Sequence, residues 1–323
     1  MSILLLKARL ALELPPINAA LDRAEATLPG SVRPVAHHIF SAGGKRLRPL
    51  LVVLTARLLG RSDTDVYDLA VTLEMLHAAT LLHDDVLDGA ATRRGRPAAH
   101  TVFGPTQAIL AGDALLAQAN AIVASFGEPA LCTLFSRAIV ETCSGEIREI
   151  EAQRRPQTAM AEYESIIRGK TAWLIRASCE MGALAAHATE AQREACAAYG
   201  EGVGMAFQLV DDALDFAPES VIGKPSGGDL REGKLTPPLR YYRDALNAEG
   251  RMIFDNAFAN GSMPEEECRV ICSRIRDAGY DRKTRDDADK WLAGALSALG
   301  TLPDATEREL MRQMAEYVRE RKK

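Results

Sequence analysis

The chain has 323 residues, of which 47% are hydrophobic and 26% charged, and 44 acidic side chains outnumber 39 basic ones. This composition is that of an ordinary globular protein and excludes a disordered or collagen-like chain. The formal net charge of −5 argues against nucleic acid as the main partner, because contact with a phosphate backbone needs a basic face. Phosphate groups of a ligand would have to be met by local basic clusters or by bridging metal ions.

The sequence predicts a cytoplasmic protein without a transmembrane segment. Near the N-terminus, Lys7 and Arg9 interrupt the apolar run at once, unlike in a signal peptide. The six cysteines include no CxxC pair, which favours reduced thiols. Residues 101–127 carry a single charge and exceed the roughly 20 residues of a membrane span. Polar residues interrupt this segment, so we expect a buried helix instead.

Apolar residues recur at three- and four-residue spacing through most of the chain, which predicts helices. They cover 50–59, 66–82, 131–150, 162–184, 191–216, 266–277 and 286–299. Strand-like alternation is hard to find. Residues 218–238, rich in glycine and charge, are predicted to form a long functional loop. We therefore expect a single all-α domain over residues 1–323.

Two copies of Asp-Asp-x-x-Asp, each near the end of an apolar helical pattern, are the most informative feature. The first contains Asp84, Asp85 and Asp88, and the second contains Asp211, Asp212 and Asp215. In a helix the first and last aspartate of each copy share one face, where like charges repel. A bound Mg²⁺ would remove this repulsion, because it prefers carboxylate oxygens and completes its shell with water and substrate phosphate. Two copies in matched contexts favour metal binding over two solvated helix ends.

Two basic segments could contact phosphate directly. Gly43–Pro49 places three cations behind a glycine pair at the start of a predicted helix, where backbone N–H groups favour anions. Arg93 and Arg94 follow the first acidic motif closely enough to fold back over it. Arginine suits a bidentate grip on diphosphate, whereas lysine acts as a compact charge. Either cluster alone would more often be solvated surface, but their closeness to the carboxylates favours an anion site.

Five motifs together resemble those of the trans-isoprenyl diphosphate synthases, of the octaprenyl-like, all-trans polyprenyl type. They are Gly43–Pro49, Leu82–Asp88 with Arg93–Gly95, Gly169–Thr171, Phe207–Phe216 and Gly223–Lys234. The resemblance implies a helical bundle of the isoprenoid synthase type around a deep central cavity. It implies a transferase that condenses isopentenyl diphosphate with an allylic diphosphate, farnesyl or geranylgeranyl, by ionisation, condensation and elimination.

The resemblance also assigns roles to individual residues. Three Mg²⁺ ions would be held by Asp84, Asp88 and Asp211, supported by Asp85, Asp212 and Asp215. The diphosphate of isopentenyl diphosphate would be bound by Lys45, Arg48, His77 and Arg94. The allylic diphosphate would be bound by Arg93, Lys170, Thr171, Gln208, Lys224 and Lys234. Lys170, Thr171 and Gln208 would also lie along the path of the allylic cation as catalytic residues.

Product length is expected to depend on Ala79 and Thr80, one turn before the first acidic motif. In short-chain relatives a large aromatic here, or an insertion in the motif, closes the cavity. This sequence has neither, which predicts a product of about seven to ten isoprene units, or about C35–C50, at about 4–5 Å a unit. A shorter-chain geranylgeranyl or farnesyl diphosphate synthase and a noncatalytic subunit of a heteromeric synthase are the alternatives. We also expect a homodimer whose product partitions into the membrane.

Overall fold

The computed structural model describes residues 2–223 and 225–321, and this part of the chain is all-α apart from one short hairpin, as predicted. The helices up to residue 152 are α1 (Ser2–Ala26), α2 (Arg33–Ser41), α3 (Leu47–Leu58), α4 (Val66–Leu87), α5 (Ala99–Phe103), α6 (Pro105–Ser125) and α7 (Pro129–Ala152). The hairpin between α4 and α5 pairs β1 (Thr92–Arg93) antiparallel to β2 (Arg96–Pro97).

The rest of the described chain continues with ten further helices and one π-helical turn. These are α8 (Met160–Ile167), the π-helical turn (Arg168–Ala172), α9 (Trp173–Ala185), α10 (Glu190–Asp215), α11 (Glu219–Ile222), α12 (Gly228–Glu232), α13 (Pro237–Ala245), α14 (Ala248–Asn260), α15 (Glu265–Ala278), α16 (Tyr280–Leu299) and α17 (Thr306–Arg319). Local sequence explains several helix ends. Proline at the first position starts α6 and α13, and left-handed Gly261 and Gly279 end α14 and α15.

The chain contains two compact units. Unit 1 comprises Met1–Ile139, Ala177–Ala197 and Leu302–Met311, and unit 2 comprises Val140–Arg176, Ala198–Thr301 and Arg312–Lys323. The single domain predicted over residues 1–323 stays a prediction.

Each unit has its own apolar core. In unit 1, α4 packs against α1, α3 and α6, and α4 residues such as Leu69, Leu73 and Leu76 have no exposed surface. In unit 2, Phe216 and Ile275 belong to a buried cluster beneath α13, α14 and α15. The last turn of α4 carries the first acidic motif and reaches the surface, with Asp85 buried and Leu87 63% exposed.

The segment 218–238 is more ordered than predicted. It contains α11 and α12, so it is not one long irregular loop. Gly223 and Gly233 end these two short helices with φ of 74° and 78°, a backbone conformation that glycine adopts without strain. The glycines that suggested a loop from the sequence are therefore helix ends.

Helix α6 is not buried on all sides, and this expectation was wrong. Among the described helices, α6 is long and apolar enough to cross a membrane. However, only 33% of its most apolar stretch is buried. Its buried residues are Ala108, Ala111, Gly112, Leu115, Ala119 and Val123, whereas Leu110 is 60% exposed. Such a helix is only weak evidence for a membrane span, because the core helices of globular proteins can be equally long and apolar.

Candidate active site

The first acidic motif occupies the last turn of α4 in unit 1. Asp84 is half-buried and Asp88, the residue after the helix, is exposed. Asp85 is only 1% exposed and accepts hydrogen bonds from Arg93 Nε at 2.7 and 2.9 Å. Carboxylates at the C-terminal end of a helix meet the negative end of its dipole. A cation is therefore favoured here, and the chain itself supplies one, Arg93, to Asp85.

The hairpin after α4 explains how two consecutive arginines diverge. Arg93 pairs with Arg96 across the hairpin, so Arg94 and Gly95 form its two-residue turn. Their φ values are 51° and 75°, as in the type I′ turns that match the twist of a hairpin. Positive φ is unusual for a residue with a side chain, so the turn holds Arg94 in a strained backbone conformation.

Arg94 belongs to a cluster of cations in unit 1. Gly44 lies beside it, so close that an added Cβ would be 3.0 Å from Arg94 Nη1. Buried Arg46 pairs with buried Glu74 at 2.7 Å, and Arg46 also has a positive φ of 48°. The buried Nε of Arg48 has no hydrogen-bond partner among the described residues. A guanidinium with an unsatisfied buried donor is suited to an anion.

His77 is surrounded by these arginines. Burial, and then the charges of Arg48, Arg94, Arg93 and Arg46, hold the pKa of His77 well below its ordinary value of 6.5. Burial also lowers the pKa of Arg48 and Arg94, partly opposed by Glu74. His77 is therefore neutral at pH 7 and can donate or accept a hydrogen bond. The structure thus brings together Arg48, His77 and Arg94, three of the four residues predicted for isopentenyl diphosphate. Lys45, the fourth, is exposed in the same glycine-rich segment.

The second acidic motif occupies the last turn of α10 in unit 2. The side chain of Asp211 is 46% exposed and pairs with Arg321 at 3.0 Å. The guanidinium of Arg321 also lies 4.2 Å from the ring centre of Phe207. Sequence reasoning missed Arg321, because nothing in the C-terminal residues points to a partner so far back in the chain. Asp211, a predicted metal ligand, is thus already paired with an arginine.

The π-helical turn carries Lys170 and Thr171 and interrupts the helix predicted over 162–184. A Cβ on Gly145 of α7 would lie 2.2 Å from Lys170 N, and a Cβ on Gly169 would lie 2.8 Å from the Glu141 carbonyl oxygen. A Cβ on Gly204 of α10 would lie 2.5 Å from Ala172 Cα. The glycines therefore let α7 and α10 approach the turn at backbone distance. Such turns are frequent at functional sites.

A chain of hydrogen bonds connects the turn to the second acidic motif. Thr171 Oγ1 donates to Gln208 Oε1 at 2.8 Å, and Gln208 Nε2 donates to Asp212 Oδ1 at 2.8 Å. The hydroxyl of Tyr163 donates to the other oxygen of Asp212. Burial, opposed by these hydrogen bonds and assisted by Asp211, raises the pKa of Asp212 to about 7. Since both of its oxygens already accept hydrogen bonds, Asp212 serves in this structure to orient Gln208.

The two described lysines of the predicted allylic site share one carboxylate. Lys170 Nζ lies 2.7 Å from Glu149 Oε1, and Lys234 Nζ lies 3.1 Å from the same oxygen. Burial opposes ionisation of Glu149, but both lysines outweigh it and keep the pKa of Glu149 below its ordinary value. The carboxylates in turn raise the pKa of Lys170 and of Lys234 against the effect of burial. These groups line a cavity of about 120 Å³ with Thr171, Gln208, Asp212 and Asp229.

The loop after α11 is anchored by Asp215. Its Oδ2 accepts the backbone N–H of Asp229 at 2.9 Å, and its carbonyl oxygen accepts the N–H of Gly227 at 2.8 Å. The buried Oδ2 of Asp229 has no hydrogen-bond partner among the described residues. Burial, and then the charges of Asp212 and Asp215, raise the pKa of Asp229 well above its ordinary value. Lys224, predicted for the allylic diphosphate, lies outside the described residues.

The donor set fits a hard divalent cation held in part by substrate. Within residues 2–223 and 225–321, no group of three or more His, Cys, Asp or Glu side chains is arranged to hold a metal ion alone. Asp84, Asp88 and Asp211 are half-buried or exposed at helix ends and offer only oxygen, which is what Mg²⁺ takes from proteins when phosphate and water complete its shell. The metal-binding roles of these residues stay predictions.

The two chain-length residues differ in the structure. Ala79 has no exposed surface, and its role in setting product length stays a prediction. Thr80 is half-buried and shares the face of Asp84, four residues later. A separate cavity of about 640 Å³ in unit 1 is lined by Val71 of α4 and by Ile122 and Phe126 at the end of α6.

Fold and site together define an all-α protein with cationic sites beside two acidic helix ends. A family model described as polyprenyl synthetase matches residues 30–275. The chain is 37% identical over 311 residues to heptaprenyl diphosphate synthase component 2 of Geobacillus stearothermophilus, covering 96% of each protein. The chain therefore belongs to the polyprenyl synthetase family. Its members are prenyltransferases that make polyprenyl diphosphates.

Solved structures agree with this assignment. A decaprenyl diphosphate synthase from Rhodobacter capsulatus superposes with a TM-score of 0.92 at 34% identity, covering 98% of this chain and 99% of that one. A polyprenyl synthase from Caulobacter crescentus CB15, complexed with calcium and isoprenyl diphosphate, superposes with a TM-score of 0.91 at 33% identity over 100% and 98% of the two chains. The all-α isoprenoid synthase fold and the resemblance to trans-isoprenyl diphosphate synthases are thereby confirmed.

Proposed function

We propose that the chain condenses isopentenyl diphosphate with an allylic diphosphate, farnesyl or geranylgeranyl, to give a polyprenyl diphosphate of about seven to ten isoprene units, or about C35–C50. The observation that carries this proposal is that each unit holds a set of cations beside an acidic helix end. Unit 1 has Arg48 and Arg94 around neutral His77, and unit 2 has Lys170 and Lys234. Two separate cation sets suit a reaction between two diphosphates.

Each of the predicted site residues has a proposed role in binding a substrate or Mg²⁺. Arg48, Arg94, Lys45 and His77 bind the diphosphate of isopentenyl diphosphate, and Lys170, Lys234, Lys224, Arg93, Thr171 and Gln208 bind the allylic one. Asp84, Asp88 and Asp211 would hold three Mg²⁺ ions, with Asp85, Asp212 and Asp215 in support. When bound, Mg²⁺ supplies positive charge that makes diphosphate a better leaving group.

The chemistry begins when the allylic C1–O bond breaks and diphosphate leaves with the electron pair. The double bond of isopentenyl diphosphate then attacks C1, and a proton is lost to form the new trans double bond. The departed diphosphate is the proposed proton acceptor. Thr171 and Gln208, oriented by their mutual hydrogen bond, offer dipoles to the developing cation, and the lysines neutralise charge on the leaving group.

Two observations support a long product. The first is that Thr80, the α4 residue that shares the face of Asp84, is small. The second is that similar proteins include heptaprenyl and decaprenyl diphosphate synthases, although geranylgeranyl diphosphate synthases, which match the short-chain alternative, are also among them.

The test is to incubate the purified chain with labelled isopentenyl diphosphate, farnesyl or geranylgeranyl diphosphate, and Mg²⁺, and to measure the length of the products. We expect Mg²⁺-dependent incorporation into products of about C35 or longer, each condensation adding five carbons. Products of C20 or shorter would support the short-chain alternative and contradict the long-chain assignment.

A second candidate is a chain that needs another subunit. The relative from Geobacillus stearothermophilus is named component 2 of its synthase, and a noncatalytic subunit of a heteromeric synthase is the corresponding alternative for this chain. All six aspartates of the two motifs are present, which favours an active chain. No incorporation by the chain alone, restored by a co-purified second protein, would support the heteromeric alternative.

We further propose that the chain forms a homodimer in the cytoplasm. Exposed apolar side chains support this proposal. In unit 1, Ile109 and Leu110 of α6 are 41% and 60% exposed, and in unit 2, Val140, Ile147 and Ile150 of α7 are 65%, 56% and 52% exposed. The three α7 residues lie near one face of the helix, and exposed apolar patches of this kind mark protein interfaces.

A further inference from the structure

Glu149 lies between the two lysines predicted to bind the allylic diphosphate. It is on α7, three residues after Glu146, so both carboxylates share one helix face. One oxygen of Glu149 contacts Lys170 Nζ at 2.7 Å and Lys234 Nζ at 3.1 Å. Glu149 lies outside the five sequence motifs.

The shared oxygen sets the spacing of the two ammonium groups. Two hydrogen bonds to a single acceptor leave the nitrogens at most about 6 Å apart. Lys170 comes from the π-helical turn and Lys234 from the segment after α12, and Glu149 contacts both. Two ammonium groups this close repel each other, and the carboxylate between them offsets that repulsion.

The remaining donors are available for a ligand. Each ammonium group has three N–H donors. Lys170 uses two of them on Glu146 and Glu149, and Lys234 uses two on Glu149 and Glu232, among the described contacts. One donor on each lysine is left, and both lysines line the same cavity as Thr171 and Gln208. Two ammonium groups held this close beside one cavity can each donate to an oxygen of the same diphosphate.

We propose that Glu149 is a positioning residue that holds Lys170 and Lys234 as a converging pair for the allylic diphosphate. The proposal rests on the proposed function of this site. Glu149 does not touch the reacting carbon atoms in this account. It acts through the two lysines, whose flexible side chains would otherwise separate by repulsion.

A carboxylate at this place could instead act only as a competitor, because its charge repels an incoming diphosphate. The two roles predict opposite changes in the KM for the allylic substrate when Glu149 is removed. Loss of a positioning carboxylate raises the KM for the allylic substrate, whereas loss of a competitor lowers it. Steady-state kinetics with both substrates therefore separates them.

The variants are Glu149→Ala, which removes the acceptor and the charge, and Glu149→Gln, which removes the charge but keeps an acceptor oxygen. Glu151→Ala, at an exposed position of the same helix, is the matched control. We expect Glu149→Ala to raise the KM for the allylic diphosphate about tenfold, the scale of one charged hydrogen bond. Glu149→Gln should fall between wild type and Ala, the control should match wild type, and the KM for isopentenyl diphosphate should not change.

A binding experiment makes the outcome independent of turnover. Calorimetry with inorganic pyrophosphate and Mg²⁺ should show weaker binding to Glu149→Ala than to wild type. In a Lys170→Ala, Lys234→Ala background the Glu149→Ala change should have no further effect, because its two partners are gone. An unchanged or lowered allylic KM together with unchanged or tighter pyrophosphate binding would overturn the positioning role.

The two proposals fail differently. A wild-type chain that incorporates no isopentenyl diphosphate would overturn the proposed function, while the calorimetric comparison would still decide the role of Glu149. An active wild type whose Glu149→Ala variant keeps its allylic KM and its pyrophosphate affinity would overturn only the positioning role. Equal rises in both substrate KM values would also overturn it, since they would indicate a general structural defect.

Discussion

Asp84 and Asp211 stand at corresponding places in the two acidic motifs, and at their helix ends Asp84 is half-buried and Asp211 is exposed. Asp84→Asn or Asp211→Asn keeps the shape and removes the charge that would hold Mg²⁺. We expect turnover to fall at least about 10²-fold, the scale for one electrostatic contact that stabilises a transition state. Initial rates at saturating Mg²⁺ test this expectation.

The matched control for these variants is Asp63→Asn, a 73% exposed aspartate just before α4. It should keep the wild-type rate, and all three variants should melt near the wild-type temperature because none of these side chains is buried. Near-normal turnover of either motif variant would show that its carboxylate is not a metal ligand.

Asp212 predicts a pH-dependent contribution to stability. Its pKa is raised from an ordinary 3.8 to about 7, mainly by burial. Between these values the folded protein holds a proton that the unfolded chain has lost, so stability falls as pH rises and levels off above about pH 7. Asparagine has no titrating carboxyl group, so Asp212→Asn removes this contribution to the pH dependence. Urea unfolding from pH 4 to pH 8 should therefore show the wild type losing stability relative to the variant up to about pH 7.

The free energy of unfolding of the variant has to be subtracted from that of the wild type at each pH. Other groups titrate in the same range, His77 with the opposite sign because its pKa is lowered, and those that do not interact with Asp212 contribute equally to both curves. Parallel wild-type and variant curves across the whole range would contradict a raised pKa for Asp212.

At the scale of elements, the π-helical turn depends on its contact with α7. Gly145→Ala would place a Cβ 2.2 Å from Lys170 N, where a backbone must move. We expect the free energy of unfolding to fall by about 1–3 kcal/mol, the usual range for overpacking, together with a loss of allylic binding. Denaturant unfolding and the allylic KM measure the two effects.

Gly294→Ala is the control for that substitution, because an added Cβ in the interior of α16 meets nothing within 4 Å. Replacing glycine in an exposed helix should raise the free energy of unfolding by up to about 1 kcal/mol. If Gly145→Ala and Gly294→Ala had the same effect on the free energy of unfolding and on the allylic KM, the close backbone contact at Gly145 would not be what maintains the π-helical turn.

Helix α4 predicts which residue limits product length. Thr80 is half-buried on the face of Asp84, whereas Ala79 is completely buried. Thr80→Phe should therefore shorten the product, while Ala79→Phe should first lower the free energy of unfolding, by about 1–3 kcal/mol through overpacking. Product sizing and denaturant unfolding of both variants test this. A stable Ala79→Phe variant with short products would restore Ala79 as the deciding residue.

At the scale of the whole molecule, the exposed apolar residues predict self-association. Val140 of α7 is 65% exposed, and Val140→Glu places a charge on the proposed interface. We expect wild type to have the mass of two chains by light scattering and the variant to dissociate. Met252→Glu, at a 60% exposed position of α14, is the control and should remain dimeric. A monomeric wild type would contradict the proposed homodimer.

Much of the fold and part of the site could be predicted from the sequence, because the signals are local. Helices follow from apolar spacing within one turn or two, and the last turns of α4 and α10 carry their aspartates because those residues are adjacent in the chain. Family resemblance added Lys170, Thr171 and Gln208. In the structure Thr171 and Gln208 are linked to Asp212 by hydrogen bonds, and Lys170 lines the same cavity.

Tertiary structure alone decided which of these charges face one another. Glu149 reaches Lys170 and Lys234, Tyr163 reaches Asp212, and Arg321 reaches Asp211 only after separate helices pack. The apolar composition of residues 101–127 likewise predicted a helix, without showing that apolar side chains such as Leu110 stay exposed. Spacing along the chain determines which residues share a helix face, but it carries no information about what another helix brings to that face. The sequence therefore determined the helices and the acidic motifs, and packing determined their partners.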